Sequence, residues 1–320
     1  MAPISKDIQK ASEILKHDEL VAIPTETVYG LAGNGLSETA VKKIFELKQR
    51  PLFNPLILHT YSLEQIERFV SYIPEKAQKL AQTFWPGSLT LVLDKKDTVP
   101  DIITAGKDTV AVRIPDHPLT LELLKTLDFP LAAPSANPFG CISPTQAEHV
   151  TSYFPEGLQL VLDGGACKNG IESTIVGFEG DEPIIYRLGS IATEDIINTI
   201  GGVTVINKNE DNPEAPGMLS RHYAPETTTY LVDDIQSFIT SHPNKKIGAI
   251  TFHQHIDLPN IQSLAILSPK KDLKEAASNL YATMHKLDQL DLDIIVAERF
   301  PEQGLGKSIN DRLDRATKKK

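Results

Sequence analysis

Short apolar runs alternate with amphipathic helical patterns along most of this 320-residue chain, and this alternation restricts the fold more than any other feature. Runs such as Leu20–Ile23 and Val110–Ile114 have the length and apolar character of buried strands. Ser37 precedes a segment whose apolar residues lie three and four positions apart, which predicts a capped helix that Pro51 ends. Because these patterns do not repeat as a regular βαβ unit, they predict an α/β fold built on a mixed, twisted sheet. Further helices are predicted over residues 5–16, 63–70, 73–84, 119–127 and 145–153.

A polar segment divides the chain. Residues 207–217, "NKNEDNPEAPG", combine charge, Asn and Pro in the manner of a linker. A second alternation of strands and helices follows, with a helix predicted over 273–287 and another from Ser308, which predicts a smaller Rossmann-like α/β domain. We therefore divide the chain into a first domain over 1–204, a linker over 205–227 and a second domain over 228–320.

Composition narrows the class of protein. The formal net charge of −10 argues against a protein that coats nucleic acid, so we expect no stable nucleic-acid binding. Two cysteines, Cys141 and Cys167, are too few for a disulfide framework or a structural zinc site, which favours a reducing, cytoplasmic location. The N-terminus lacks the apolar segment of a signal peptide, and no run approaches the roughly 18 apolar residues of a membrane span.

Cationic side chains recur at the ends of predicted strands and helices. Arg113 and Arg187 each end an apolar strand, where a partly buried guanidinium needs an anionic partner. Lys48 and Arg50 lie two positions apart in "KQRP", and such a pair of cations suits a polyphosphate. Lys48 also suits the C-terminal end of a helix, where a positive charge is favourable. His59 ends the strand "PLILH", where a lone histidine is more often structural than a ligand. Together these residues predict a concave positive site on an otherwise acidic protein.

Hydroxyl groups follow the same strands. "PTETVYGL" places Thr27 just beyond the strand Leu20–Ile23, which indicates a ligand site, although a plain strand terminus is also possible. Ser135, Ser143 and Ser173 lie at similar strand edges, where open α/β sheets bind ligands, and Ser143 is equally suited to begin a helix.

Two further motifs resemble binding sites but are rejected. Gly306-Lys307-Ser308 resembles the end of a P-loop, yet Pro301 occupies the position where that loop requires glycine. His253 and His255 have no third ligand nearby, so we interpret them as a loop.

Many motifs in a fixed order resemble the YrdC-like family, and the whole chain resembles its two-domain threonylcarbamoyl-AMP synthases. The resemblance is close over about residues 5–200, and it extends to "PGMLSRHYAP" in the linker and to "GLGKSINDRLDRA" at the end of the second domain. The motifs of the first domain are "PTETVYGL", "KQRP", "NPLILH", "WPGSLTLVL", "VAVRIPDHP", "APSAN", "SPT" and "ESTIV".

The resemblance implies a nucleotidyltransferase. L-threonine, bicarbonate (or CO2) and ATP with Mg²⁺ would give threonylcarbamoyl-AMP and pyrophosphate. A tRNA threonylcarbamoyl transferase complex would then take the product for the threonylcarbamoyladenosine modification of tRNA. The predicted cations fit this chemistry, since a triphosphate needs several positive groups and the threonine carboxylate suits an arginine.

The resemblance also implies roles for single residues. Lys48 and Arg50 would act in catalysis, and Tyr223 would close over the site from the linker. We interpret Glu26 as a structural residue of the turn. L-threonine would be bound by Thr27, His59, Arg113 and Ser173. ATP would be bound by Lys48, Arg50, Asn54, Thr109, Ser135, Ser143, Arg187 and Tyr223.

One departure from the family pattern and three alternatives remain. Ala133 stands where the family commonly has a threonine, so a hydroxyl that could help to bind the substrate is absent, and a catalytically inactive homologue is one alternative. A carbamoyl-adenylate enzyme of hydrogenase maturation shares the fold, but it carries cysteine clusters that two cysteines cannot supply. An RNA-binding module is the third alternative, and the net charge of −10 argues against it.

Overall fold

The computed structural model describes residues 2–208, 213–219 and 222–318, which form two sheets and the helices packed on them. The strands are β1 (Ile4–Ser5), β2 (Val21–Ile23), β3 (Gly30–Asn34), β4 (Ile57–His59), β5 (Leu89–Asp94), β6 (Thr109–Arg113), β7 (Leu131–Ala132), β8 (Leu160–Leu162), β9 (Thr174–Glu179), β10 (Glu182–Arg187), β11 (Thr204–Val205), β12 (Thr229–Val232), β13 (Ile247–Thr251), β14 (Ile261–Ile266) and β15 (Ile294–Glu298). The helices are α1 (Ile8–Lys16), α2 (Glu38–Lys48), α3 (Leu63–Ile66), α4 (Glu75–Phe84), α5 (Asp101–Thr104), α6 (Pro118–Lys125), α7 (Ala147–Tyr153), α8 (Thr193–Ile200), α9 (Ile235–Thr240), α10 (Leu273–Asp288) and α11 (Leu305–Ala316).

The larger sheet is mixed and has eleven strands within the described residues, in the order β1-β8-β2-β3-β7-β4-β6-β5-β9-β10-β11. Strands β4 and β6 are parallel and pair His59 with Arg113, so these two side chains lie next to each other. Strands β2 and β7 run in the opposite direction to β4, because β3 is antiparallel to both and β7 is antiparallel to β4. The turn after β2 nevertheless reaches Arg113, because the Thr27 hydroxyl lies 3.0 Å from Nη2 of that residue.

The smaller sheet contains four parallel strands in the order β12-β15-β13-β14. Helices α10 and α11 pack against it and bring their apolar faces into a cluster that also contains residues of the first sheet's loops. Val28, Ile171 and Tyr223 share this cluster with Leu280 and Leu313, so one apolar core joins the two parts of the molecule. These features confirm the predicted α/β fold with a mixed, twisted sheet and a second, smaller α/β domain.

Several predicted element boundaries are corrected. Helix α1 begins at Ile8 and not at Ser5, because the Asp7 carboxylate caps it and Ile4–Ser5 pairs with β8. Helix α3 ends at Ile66 and α7 begins at Ala147, so both are shorter than predicted. Helix α11 begins at Leu305, which places Ser308 inside it.

The domain limits of 204 and 228 stay predictions. Residues 209–212 and 220–221 of the predicted linker lie outside the described residues. Its described part contacts the loop between β7 and α7, where Ala224 forms an isolated bridge with Cys141 and donates its backbone N–H to the Gly140 carbonyl at 2.8 Å.

Candidate functional site

A small buried cavity of about 50 Å³ lies over one face of the large sheet. Ile57 and His59 both line it, and alternate residues of a strand point to the same face. The linker covers it through Pro216, Gly217 and the pair His222 and Tyr223. The remaining lining residues are Thr27, Val28, Arg50, Leu56, Arg113, Ala133, Pro134, Ser135, Glu172, Ser173 and Arg187.

Three buried arginines, Arg50, Arg113 and Arg187, line this cavity. For Arg113 and Arg187 this position was predicted from their place at the ends of strands. Arg50 donates from Nε and Nη2 to the carbonyls of Asn54 and Pro55, at 3.1 and 2.8 Å. Arg187 donates from Nη2 to the Ser173 hydroxyl at 2.9 Å. Burial, and then the charge of Arg187, lowers the pKa of Arg50 to about 9. Partners within the protein thus leave an excess of positive charge, which an anionic ligand would neutralise.

Arg113 is held by the turn that follows β2. Its Nη2 donates to the Glu26 carboxylate at 2.6 Å and to the Thr27 hydroxyl at 3.0 Å, and its Nε donates to the Gly87 carbonyl at 3.2 Å. Glu26 also accepts the backbone N–H of Asp116 at 3.0 Å. These contacts give Glu26 a structural role in the turn and fix the plane of the guanidinium.

His59 is neutral in this environment. Burial first, and then the positive charge of Arg113, lowers the pKa of His59 to about 3. Its Nδ1 lies 3.2 Å from the Ile57 carbonyl oxygen, and the ring lines the cavity. At neutral pH the imidazole can therefore form a hydrogen bond with a ligand without adding charge.

Lys48 does not line the cavity. Its ammonium donates to the backbone carbonyls of Ser135 and Asn137, in the turn after β7. Burial, followed by the charge of Arg50, lowers the pKa of Lys48 well below its usual value. In this structure Lys48 holds the turn that presents Ser135, which lines the cavity itself.

The other predicted residues divide between near and distant positions. Ser143 is buried behind the cavity wall and donates its hydroxyl to Glu172 at 2.6 Å. The Asn54 side chain is fully buried, and neither atom of its amide has a hydrogen-bond partner among the described residues. The structure places Thr109 elsewhere, in a separate cavity of about 270 Å³ with Tyr186 and Glu214, because it begins β6 whereas the site lies at the end of that strand.

Lining residues that had no predicted role include His222, Gly217 and Glu172. His222 contacts Tyr223 with ring centroids 4.1 Å apart, and burial lowers its pKa well below the usual value. Gly217 has a φ of 88°, and a Cβ there would lie 2.8 Å from Cδ of Arg187. Glu172 lies beside Ser173 and pairs with Arg312 of α11 at 2.7 Å. His222 and Glu172 lie within the motifs "SRHYAP" and "GIESTIVG", which could have indicated them, whereas no local pattern indicates Gly217.

The residues of the two rejected motifs do not line this cavity. Gly306, Lys307 and Ser308 lie in α11, where Lys307 pairs with Glu194 at 2.6 Å and Ser308 donates to the Gly189 carbonyl. No group of three or more His, Cys, Asp or Glu side chains that could hold a metal ion was found in the described part of the chain. A larger cavity of about 670 Å³ has mainly apolar walls with Lys96 and Glu67, and it lacks the cluster of arginines.

The mixed sheet carries a small cavity that is lined by three arginines and covered by the linker. This arrangement is typical of proteins that bind an anionic ligand such as a nucleotide. Comparison with known proteins then identifies the family. The family model Sua5/YciO/YrdC, described as "Telomere recombination", matches residues 13–189, and the model "Threonylcarbamoyl-AMP synthase, C-terminal domain" matches residues 191–317. The chain belongs to the two-domain Sua5 family.

Relatives agree with this assignment over nearly their whole length. A threonylcarbamoyl-AMP synthase of Pyrococcus abyssi is 40% identical over 97% of this chain and 94% of the relative. One of Bacillus subtilis (strain 168) is 38% identical over 97% of this chain and 92% of the relative. The crystal structure of P. abyssi Sua5 complexed with L-threonine superposes with a TM-score of 0.91 at 38% identity, over 99% of this chain and 97% of that chain.

No helix among the described residues has the length and apolar character needed to span a membrane.

Proposed function

We propose that this protein is an enzyme that makes threonylcarbamoyl-AMP from L-threonine, bicarbonate or CO2 and ATP, with release of pyrophosphate. The observation that carries the proposal is the buried cavity in which Arg50, Arg113 and Arg187 meet neutral His59. Membership of a family whose relatives are named threonylcarbamoyl-AMP synthase supports it. The fate of the product, transfer by a tRNA threonylcarbamoyl transferase complex in the cytoplasm, belongs to the same proposal.

The threonine subsite is proposed to lie between Arg113 and Ser173. Arg113 would bind the carboxylate, because its Nη1 makes no hydrogen bond within the described residues and its other nitrogens are held in place. Thr27 and His59 lie beside this guanidinium, Ser173 lines the same cavity, and the three would bind the remaining polar groups of threonine.

The ATP subsite is proposed to lie between Arg50, Arg187 and Ser135. The two guanidiniums would bind the phosphates, and Tyr223 would cover the nucleotide from the linker. Asn54 offers a buried side-chain amide with no partner among the described residues, which suits a polar ligand. Lys48 and Ser143 would contribute indirectly, because Lys48 holds the turn that carries Ser135 and Ser143 donates a hydrogen bond to Glu172.

The reaction would proceed in two steps. The amine of threonine attacks the carbon of CO2 and loses a proton, which gives a carbamate. A carbamate oxygen then attacks the α-phosphorus of ATP, the bond from that phosphorus to the bridging oxygen breaks, and pyrophosphate leaves with the electron pair. The protein's contribution is to hold the reactants in line and to stabilise the developing charge with buried arginines. Mg²⁺ is proposed to enter as part of the MgATP substrate, since divalent ions accompany triphosphates.

The linker is proposed to open and close the site. A cavity of about 50 Å³ is far below the roughly 300 to 1,000 Å³ of ordinary ligand pockets, and Gly217 and Tyr223 occupy the space in front of Arg187. ATP would therefore enter only after this segment moves away.

Pyrophosphate release from ATP, measured with and without L-threonine and bicarbonate, tests the proposal. We expect release only when both are present, together with a product of the mass of threonylcarbamoyl-AMP. ATP binding without dependent release would contradict the reaction and would make Ala133→Thr the first variant to study, because Ala133 lines the cavity. A protein that does not bind ATP would overturn the phosphate-binding role of Arg50 and Arg187.

A further inference from the structure

Glu172 is an unexpected neighbour for a triphosphate. It is buried, and it supplies the one carboxylate among the described residues that line the cavity. It directly precedes Ser173, whose hydroxyl accepts a hydrogen bond from Arg187. A negative charge at this position would repel the phosphates of ATP and would compete with them for Arg187.

The second domain holds this carboxylate. One oxygen of Glu172 accepts hydrogen bonds from Nε of Arg312 at 2.7 Å and from the Tyr281 hydroxyl at 3.0 Å. The other oxygen accepts the Ser143 hydroxyl at 2.6 Å. Burial alone would raise the pKa of Glu172, but the charges of Arg312 and Arg187 outweigh burial and lower it to about 2, so the group is ionised.

Arg312 is itself completely enclosed. Its Nη2 donates to the Leu188 carbonyl and its Nη1 to Asp311, each at 2.6 Å, and its guanidinium carbon lies 4.9 Å from the centre of the Tyr223 ring. Asp311 also accepts from Nε of Arg315 at 3.0 Å. Glu172 and Asp311 are thus balanced by Arg312 and Arg315, and the arginines of the cavity keep their charge for a ligand.

We infer that Arg312 is a positioning residue of the ATP site, which neutralises Glu172 and keeps this carboxylate away from Arg187 and from the phosphates. The inference rests on the proposed ATP-dependent function and adds to it a specific task for the second domain. Without Arg312, the Glu172 carboxylate has no ion-pair partner in the second domain, and Arg187 is the remaining cation that acts on it. Arg187 would then pair with Glu172 and would no longer be available to the phosphates of ATP.

Three variants of the full-length chain test this inference through the affinity for MgATP and, separately, for L-threonine, measured by isothermal titration calorimetry. Arg312→Met should weaken MgATP binding on the order of 10- to 100-fold, because one uncompensated buried charge then faces the phosphates. Glu172→Gln should bind MgATP at least as tightly as the wild type. The double variant should recover most of the lost affinity, since the glutamine side chain still fits Ser143 and Tyr281 without a charge.

Lys307→Met is the matched control. It removes a cation from the same helix that also pairs across to the first domain, with Glu194, but at a partly exposed position away from the cavity. Its MgATP affinity should equal that of the wild type.

The inference is overturned if Arg312→Met binds MgATP normally, or if Glu172→Gln weakens binding as Arg312→Met does. If Arg312→Met does not fold, the double variant decides, because weak MgATP binding by a folded double variant contradicts charge compensation. A wild type that binds no MgATP overturns the proposed function and this inference together. If the wild type makes the adenylate but Arg312→Met binds MgATP as tightly as the wild type does, only this inference is overturned.

Discussion

Arg113 is the side chain whose geometry most directly predicts a substrate contact. Three hydrogen bonds hold its Nε and Nη2, and Nη1 is left to donate to a carboxylate. Arg113→Lys keeps a positive charge beside Glu26 but removes Nη1. We expect the affinity for L-threonine to fall about tenfold or more, because a charge-assisted hydrogen bond is lost, while MgATP affinity changes by less than about threefold.

Separate titrations of the Arg113→Lys protein with L-threonine and with MgATP measure the two effects. An unchanged threonine affinity would show that another residue binds the carboxylate. An equal loss for both ligands would place Arg113 in a shared subsite.

Gly217 allows the linker to approach Arg187. Its backbone is in the left-handed region, which residues with a side chain rarely adopt. An added Cβ would also lie only 2.8 Å from Cδ of Arg187. Gly217→Ala should displace Arg187, weaken MgATP binding about tenfold or more, and lower the free energy of unfolding by about 1 kcal/mol from backbone strain.

Gly180 provides the control for Gly217, because it also has a left-handed backbone but a Cβ there meets no atom within 4 Å. Gly180→Ala should show a similar loss of stability with normal MgATP affinity. Equal MgATP affinity in the two variants would refute the contact with Arg187.

Helices α7 and α10 meet through two stacked histidines, and we expect this contact to be weakened by acid. The His149 and His285 rings lie 3.9 Å apart, and Nε2 of His285 lies 3.2 Å from the Ser143 carbonyl oxygen. Burial first, and then His149, lowers the pKa of His285 to about 4, against the opposing effects of the Ser143 carbonyl and Asp288.

The sign of the pH effect follows from this lowered pKa. Between pH 6.5 and 4 the unfolded state binds more protons at His285 than the folded state does, so stability falls as the pH falls through this window. Between pH 7 and 5 we expect the wild type to lose about 2 kcal/mol more of its free energy of unfolding than His285→Phe, which stacks but does not titrate. Urea unfolding at the two pH values measures this difference, and parallel losses in both proteins would contradict it.

The sequence predicted best those elements whose patterns are local. The strands around His59 and Arg113 were found because they are continuous apolar runs. Strand β3 was missed, since "GLAGN" contains two glycines and reads as a turn. The start of α1 was missed because Ile4–Ser5 pairs with a strand that lies far along the chain.

The candidate site was predictable to the same degree. Strand ends predicted the grouping of His59, Arg113 and Arg187, whose strands run in one direction. The same reasoning could not place Lys48 behind the Ser135 turn, since that depends on tertiary contacts. Nor could it find the pairing of Glu172 with Arg312, because the two residues lie 140 positions apart.

Under the proposed gating, the molecule as a whole depends on the movement of its linker, and a reversible covalent lock can test this. Cys141 and Ala224 are bridge partners, and neighbouring strands lie about 4.8 Å apart, within the Cα separation of about 4.4 to 6.8 Å that a disulfide requires. Ala224→Cys should form a disulfide with Cys141 on oxidation and hold the linker closed. We expect MgATP affinity to fall at least about tenfold in the oxidised protein and to return on reduction.

Two controls accompany the lock. The wild type, treated with the same oxidant, should bind MgATP normally, as should Ala224→Ser, which cannot form the bond. Full MgATP binding by a protein whose disulfide is confirmed by mass would contradict gating by the linker.

A cavity of about 50 Å³ beneath the linker also bears on the speed of the enzyme. Under the proposed gating, every catalytic cycle includes one departure of the linker to admit ATP and another to release a bulky adenylate. The chemistry between these two events takes place out of contact with bulk water, which protects a carbamate and a mixed anhydride that water would destroy. The linker's rate of opening then sets an upper limit on turnover, so solvent viscosity, and not only the reactivity of the phosphate, would govern how fast the product appears.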